Sequence, residues 1–159
     1  MKSINKKYLI KDLIIQINLL KKNDNIVIGF TNGCFDLLHK GHLHILSEAK
    51  KRCDYLIVAV NSDLSVKLLK GKNRPIDNES VRLSKLSSVK DVDALLIFAE
   101  ETPLNTINGL LPDILFKGYD YKYKEVVGSE IVIKNGGKIE FIDFLDGFST
   151  TNIIKNSSI

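Results

Sequence analysis

Tryptophan is absent from these 159 residues, methionine occurs once, and there are two cysteines. Cys34 and Cys53 are too few for a disulfide framework and lack metal-ligand spacing, so they read as reduced thiols of a cytoplasmic protein. Long apolar runs are also missing. Leu13-Ile14-Ile15 is cut short by Gln16 and Asn18, so neither a signal peptide nor a membrane span fits, and no membrane partner is expected. There is no basic block: 23 Lys and Arg are interspersed with 19 acids for a net charge of +4, which gives no nucleic-acid footprint. Such a chain can still gather a few cations locally around a phosphate. The first strand-like run is followed by no G-x-G-x-x-G, and no Cys/His/Asp metal cluster stands out, which argues against redox and metal-hydrolase chemistry. Proline is scarce, and Pro75, Pro103 and Pro112 fall at segment boundaries.

What the chain does have is an ordinary globular balance, 44% hydrophobic and 26% charged, and a regular alternation of patterns. Leu9, Leu13, Ile17 and Leu20 line one side of a helix over residues 4–20. The nearly continuous apolar run at 26–30 reads as a strand covered on both faces. Further strands are expected at 55–60, 94–98, 114–116 and 138–144, with helices at 42–52, 64–69, 80–89, 104–110 and 123–135 and a short last helix near Ser149. This alternation predicts an α/β protein, a Rossmann-like open parallel sheet with helices on both faces. We expect one domain over residues 1–159, with the helix of 1–24 packed on it. Chemistry in such a sheet belongs in the loops beyond the carboxyl ends of the strands.

The first of these loops runs from Thr31 to His42. Gly33 allows close approach of backbone amides to an anion, and a helix starting near Gly41 aims its dipole at the same place. His39 and His42, three apart at a helix start, can point the same way and donate to phosphate oxygens as charge builds in a transition state. Taken one at a time, these residues read as a surface histidine pair and a turn glycine. Their convergence in one strand-to-helix connection favours a triphosphate cradle.

The segment Thr31-Asn32-Gly33-Cys34-Phe35-Asp36-Leu37-Leu38-His39-Lys40-Gly41-His42 resembles the H-x-G-H loop of the cytidylyltransferase-like nucleotidyltransferase superfamily. Val58 to Asp63, Leu69-Lys70-Gly71 with Arg74-Pro75, Glu101-Thr102-Pro103, Leu111-Pro112-Asp113, Lys117-Gly118 and Ser149 to Ile154 are similar to blocks of the family's ADP-heptose-forming adenylyltransferase domain. The resemblance implies a reaction in which a sugar-phosphate oxygen attacks the α-phosphorus of ATP in line and expels pyrophosphate, with Mg2+ on the phosphates. It implies catalytic roles for His39, His42 and Lys70. It also implies nucleotide contacts from Thr31, Asn32, Gly33, Cys34, Phe35, Gly41, Lys117, Gly118, Ser149, Thr150 and Thr151, alongside both histidines. Asp36, Asn61, Arg74, Asp120 and Tyr121 are implied on the acceptor side, Asp36 either orienting the sugar phosphate, helping to hold Mg2+ or capping the turn. Arg82 is a weaker assignment, because a helix arginine is usually a solvated cation.

The acceptor implied is D-glycero-β-D-manno-heptose 1-phosphate, supplied by a separate kinase, and the family implies a homodimer. One departure stands out: where the family commonly has a second glycine this chain has Tyr119, a ring expected to narrow the acceptor pocket. The alternatives are a cytidylyltransferase acting on glycerol 3-phosphate or a related alcohol phosphate, and a non-catalytic nucleotide-binding protein. Cys34 is expected to contribute its backbone amide and not to act as a nucleophile.

Overall fold

The computed structural model describes residues 5–23, 25–122, 124–147 and 153–155. Five strands, β1 (Ile28–Gly33), β2 (Tyr55–Asn61), β3 (Ala94–Phe98), β4 (Ile114–Gly118) and β5 (Lys138–Ile142), form one sheet in the order β3-β2-β1-β4-β5. Every pairing is parallel, with Phe30 opposite Ile57 on one side and Leu115 on the other. The chain builds outward from β1 through β2 to β3, then crosses back to add β4 and β5. The switch point therefore lies beside β1, between β1 and β4, where open α/β sheets bind their ligands.

Helices α1 (Ile10–Asn23), α2 (Lys40–Lys50), α3 (Asp63–Lys70), α4 (Glu79–Ser87), α5 (Leu104–Leu110) and α6 (Ser129–Lys134) cover the sheet. The alternation of side chains along β2 shows how they divide. Ile57 and Ala59 face a core shared with Leu13 and Ile17 of α1, Ile107 and Leu110 of α5 and Val132 of α6. Leu56, Val58 and Val60 face a second core with Leu46 and Ala49 of α2 and Leu86 of α4. A strand buried on both faces has no need of polar alternation, which explains its unbroken apolar sequence. The expected fold class is thus the observed one.

Some boundaries differ from expectation, for physical reasons. β1 carries three residues beyond its apolar run, because Thr31, Asn32 and Gly33 pair with Val58, Ala59 and Val60 of the central neighbour. α1 starts at Ile10, six residues late, since the preceding chain lies along the edge of β3: Tyr8 N donates to Leu95 O at 2.8 Å and Leu95 N to Lys6 O at 2.7 Å. That contact covers an otherwise open sheet edge. α6 is confined to Ser129–Lys134 because Gly128, at φ 84°, cannot continue a helix backward, and a 3-10 turn (Tyr119–Tyr121) occupies part of the connection from β4. Ile153 to Lys155 are helical, and the expected start of that helix near Ser149 lies outside the described residues.

Leu13 is fully buried against the sheet, so Leu13→Ala should lower unfolding free energy by about 2–5 kcal/mol. A urea denaturation midpoint unchanged from the parent would mean that α1 does not share the core.

Candidate active site at the switch point

Immediately after β1 the chain makes a turn that L-residues resist: Phe35 at φ 50° and Leu37 at φ 53° both adopt left-handed backbone. Each costs about 1 kcal/mol or more and persists only if its surroundings impose it. Here the surroundings are identifiable. Phe35 is buried in the second core with its ring centroid 5.3 Å from that of His42. Between the two strained residues, Asp36 is 1% exposed and accepts from the amides of Ile76 and Asp77, each at 3.0 Å, and from Arg74 Nε at 2.6 Å. Burial acts to raise its carboxyl pKa, but the amides of Asp77 and Ile76 and the Arg74 guanidinium outweigh that and hold it below the usual carboxylate value. Asp36 is therefore an ionised post that fixes Arg74 at the cavity. Its oxygens are already engaged, so it is a poor inner-sphere ligand for Mg2+, and no group of three His, Cys, Asp or Glu among the described residues is arranged to hold a metal.

This turn delivers His39 as the N-cap of α2. Its Nδ1 accepts from Gly41 N at 3.1 Å, while His42 Nδ1 accepts from His39 N at 3.3 Å, so each ring satisfies one amide that the helix start leaves without a partner. The two imidazoles stack, with centroids 3.8 Å apart. Because both Nδ1 atoms accept, a neutral ring carries its proton on Nε2. Neutrality is favoured: burial lowers the pKa of His39, and burial, with the charges of His39 and Lys70 and against that of Asp36, pushes His42 down to about 4. The pair thus acts near pH 7 as two hydrogen-bond donors and not as two cations.

Both histidines line a cavity of about 750 Å³ at the carboxyl ends of the strands. The structure brings most of the expected residues to it: Thr31, Asn32, Gly33, Cys34, Phe35, Asp36, Gly41, Asn61, Lys70, Arg74, Lys117, Gly118, Asp120 and Tyr121. Lys70, the last residue of α3, is exposed there, and its charge is felt at both Cys34 and His42. Ser149, Thr150 and Thr151 lie outside the described residues.

Other expectations change character. Asn61 is buried, donating through Nδ2 to Ser65 Oγ at 2.9 Å, so it braces the end of β2 as well as lining the cavity. The Cys34 thiol pKa is raised, by burial first, which leaves it a protonated group unsuited to nucleophilic attack. Tyr119 does not line the cavity. Its hydroxyl accepts from Lys122 Nζ at 2.8 Å, so the ring is held on its own 3-10 turn and is not part of the cavity wall.

Arg82 is neither a ligand contact nor a solvated cation. It is 1% exposed, and Nη1 donates to Cys34 O at 2.6 Å and to Asn61 O at 2.7 Å, Nη2 to Asp63 Oδ1 at 2.9 Å and Nε to Asp77 O at 3.1 Å. Ile45, Phe98, Glu125, Val127 and Phe144 also line the cavity without having been singled out in the sequence. For Phe144 a signal existed in Gly118: a side chain at position 118 would collide with the Phe144 ring.

Residues 30–156 match the cytidylyltransferase-like family. The chain belongs to that family. As a cytidylyltransferase-like domain it is a nucleotidyltransferase, consistent with a cavity that combines a helix N-terminus, paired donors and convergent cations. The bifunctional protein HldE of Granulibacter bethesdensis is 52% identical over 137 residues, 86% of this chain and 28% of that protein. The bifunctional protein HldE of Rhodospirillum rubrum is 53% identical over 127 residues, 80% of this chain and 26% of that protein. The chain thus spans little more than a quarter of the length of these curated relatives. A solved lipopolysaccharide core biosynthesis protein from Thermoplasma volcanium is 34% identical, with a TM-score of 0.62 over 76% of this chain and 98% of that one. No helix among the described residues is long and apolar enough to cross a membrane.

Two outcomes follow from the geometry. Arg82→Met leaves three carbonyls and a carboxylate without their donor, and should cost about 3–5 kcal/mol in denaturant unfolding. The depressed His42 pKa sets the sign of a pH effect: from 6.5 down to about 4 the unfolded state takes up a proton that the folded state refuses, so stability declines across that window. His42→Asn, which keeps an acceptor near Nδ1, should flatten that decline when unfolding is followed as a function of pH. An unchanged slope would show that His42 titrates normally.

Proposed function

We propose that this domain transfers AMP from ATP to D-glycero-β-D-manno-heptose 1-phosphate, giving ADP-heptose and pyrophosphate for lipopolysaccharide core synthesis in the cytoplasm. The observation that carries the reading is the stacked His39–His42 pair, whose Nδ1 atoms are both held by the start of α2 beside the cavity that Lys70 and Arg74 also line. The similarity to HldE and to a lipopolysaccharide core protein supports the choice of sugar.

In this reading the β- and γ-phosphates lie over the amino end of α2, where free amides and the helix dipole favour an anion. A phosphate oxygen of the acceptor attacks the α-phosphorus, a new P–O bond forms, and the bond to the bridging oxygen breaks on the opposite side, so that pyrophosphate leaves with the electron pair. The Nε2–H groups of His39 and His42 stabilise the charge passing to that leaving group, and Lys70 neutralises it together with Arg74, which this reading moves from the acceptor to the pyrophosphate. The backbone of Thr31, Asn32, Gly33, Cys34 and Phe35, with Gly41 and Gly118, leaves room for the nucleotide, and Ser149, Thr150 and Thr151 serve as further phosphate contacts. Asp36 serves by holding Arg74, while Asp120 and Tyr121 face the acceptor. Mg2+ carried with the triphosphate would supply further positive charge for the departing pyrophosphate. A separate kinase provides the sugar 1-phosphate, and the protein works as a homodimer, to which the exposed Ile15 and Leu19 of α1 contribute.

Purified protein incubated with heptose 1-phosphate should release pyrophosphate with ATP and much less with CTP, read by a pyrophosphatase-coupled phosphate assay. Release with CTP alone would overturn the adenylyl assignment. His42→Ala should lower kcat by about 10²–10³, and turnover at the parental rate would remove His42 from the mechanism.

A further inference from the structure

Lys117 stands apart from the other cavity cations. It extends from the end of β4, so it lies across β1 from Lys70 and Arg74, which follow β2. Its Nζ donates to Asn32 Oδ1 on β1 and sits 5.4 Å from the ring centroid of Tyr121. Among the described residues no carboxylate forms an ion pair with it, and Asp120 of the 3-10 turn acts on it only at longer range. The strand on its other side, β5, presents Phe141 opposite it in register, and Phe144 packs against the adjacent Gly118. An ammonium half-buried beside an amide oxygen and a ring, with no carboxylate paired to it among the described residues, is electrostatically unfinished, and an anion in the cavity would complete it.

In-line displacement says which anion. The entering and leaving oxygens lie on opposite sides of the α-phosphorus. With pyrophosphate departing toward the histidines, Lys70 and Arg74, the nucleophile has to approach from the other side. Among the described residues that line the cavity, Lys117 is the cation on the β4 side of β1. We propose that Lys117 anchors the phosphate of the acceptor, and thereby selects phosphomonoester nucleophiles over neutral alcohols and amines. This moves Lys117 from the nucleotide to the acceptor, and it rests on the nucleotidyl-transfer reading above. The Lys117 pKa agrees with a site awaiting an anion. Burial pushes it down to about 8, against a weaker opposing effect of Asp120, so an incoming phosphate restores the charge that desolvation disfavours.

The test separates acceptor from nucleotide. In Lys117→Met, the KM for heptose 1-phosphate should rise about tenfold or more while ATP affinity, measured by calorimetry, stays within about twofold and certifies the fold. In the unmutated protein, acceptor KM should rise above about pH 8, where Lys117 loses its proton, while ATP affinity holds. Lys117→Arg, whose charge does not titrate in this range, should remove that rise. A loss of ATP affinity as large as the loss of acceptor affinity would return Lys117 to the nucleotide and overturn the proposal, as would an acceptor KM independent of pH across this range in the parent. Inorganic phosphate titrated into protein saturated with a non-hydrolysable ATP analogue reads the same subsite without any sugar. It should bind the parent and bind Lys117→Met about tenfold more weakly, and equal binding would overturn the proposal. If the parent binds phosphate beside the analogue yet turns over no heptose 1-phosphate, the sugar assignment fails while the subsite stands.

Discussion

The guanidinium of Arg82 gathers the chain around the cavity at one point: the carbonyl of Cys34 after β1, the carbonyl of Asn61 at the end of β2, the carboxylate of Asp63 opening α3, and the carbonyl of Asp77 before α4. Each is within a few residues of a group that lines the cavity. A buried cation is tolerated because each of the three nitrogens of its planar fork meets an oxygen, which a point-charge ammonium could not match. The cost of desolvating the ion is offset by hydrogen bonds to oxygens that would otherwise be buried without donors. In this way the loops carrying Cys34, Lys70 and Arg74 are held to one another and not only to their own strands.

The strained turn at Phe35 and Leu37 depends on this framework. Asp36 can hold the 74–77 segment only if that segment is already in place, and Arg82 secures it through the Asp77 carbonyl. The turn in return sets the direction in which His39 enters α2. Its backbone strain is small beside the ion pair and amide contacts that impose it, and it gives an N-cap that is itself a catalytic candidate. Capping and catalysis do not compete here, since the helix uses Nδ1 of each ring and leaves Nε2 to the ligand.

Much of this was legible in the sequence. The both-face-buried run of β2, the alternation of strands and helices, and the gathering of Gly33, His39, Gly41 and His42 after β1 identify the sheet and the phosphate end of the cavity. What escaped is what depends on long-range partners. Nothing local to Ser80-Val81-Arg82-Leu83 distinguishes a clamp from a solvated arginine, because its four partners lie between 5 and 48 residues away. Asp36 could not be told from a metal ligand until its partners near residue 76 were visible. Tyr119 looked like an obstruction only because a sequence does not say which way a side chain points along a 3-10 turn. Apolar cavity residues such as Ile45 and Phe144 carry no chemical signature and become visible only when a wall is assembled around them.

The hydrogen bond from Lys117 to Asn32 gives the switch point a physical role beyond geometry. β1 is paired on one side with β2, whose following segments carry Lys70 and Arg74, and on the other with β4, which carries Lys117. Its end therefore touches both halves of the cavity, and Asn32, neutral and hydrogen-bonded, holds Lys117 there without pairing it to a carboxylate, whereas Arg74 on the other side is held by Asp36. Had an acid stood at position 32, Lys117 would be paired and its charge spent within the protein. An amide holds the ammonium in place while leaving its field directed at the cavity, which is what a site joining two anionic substrates requires.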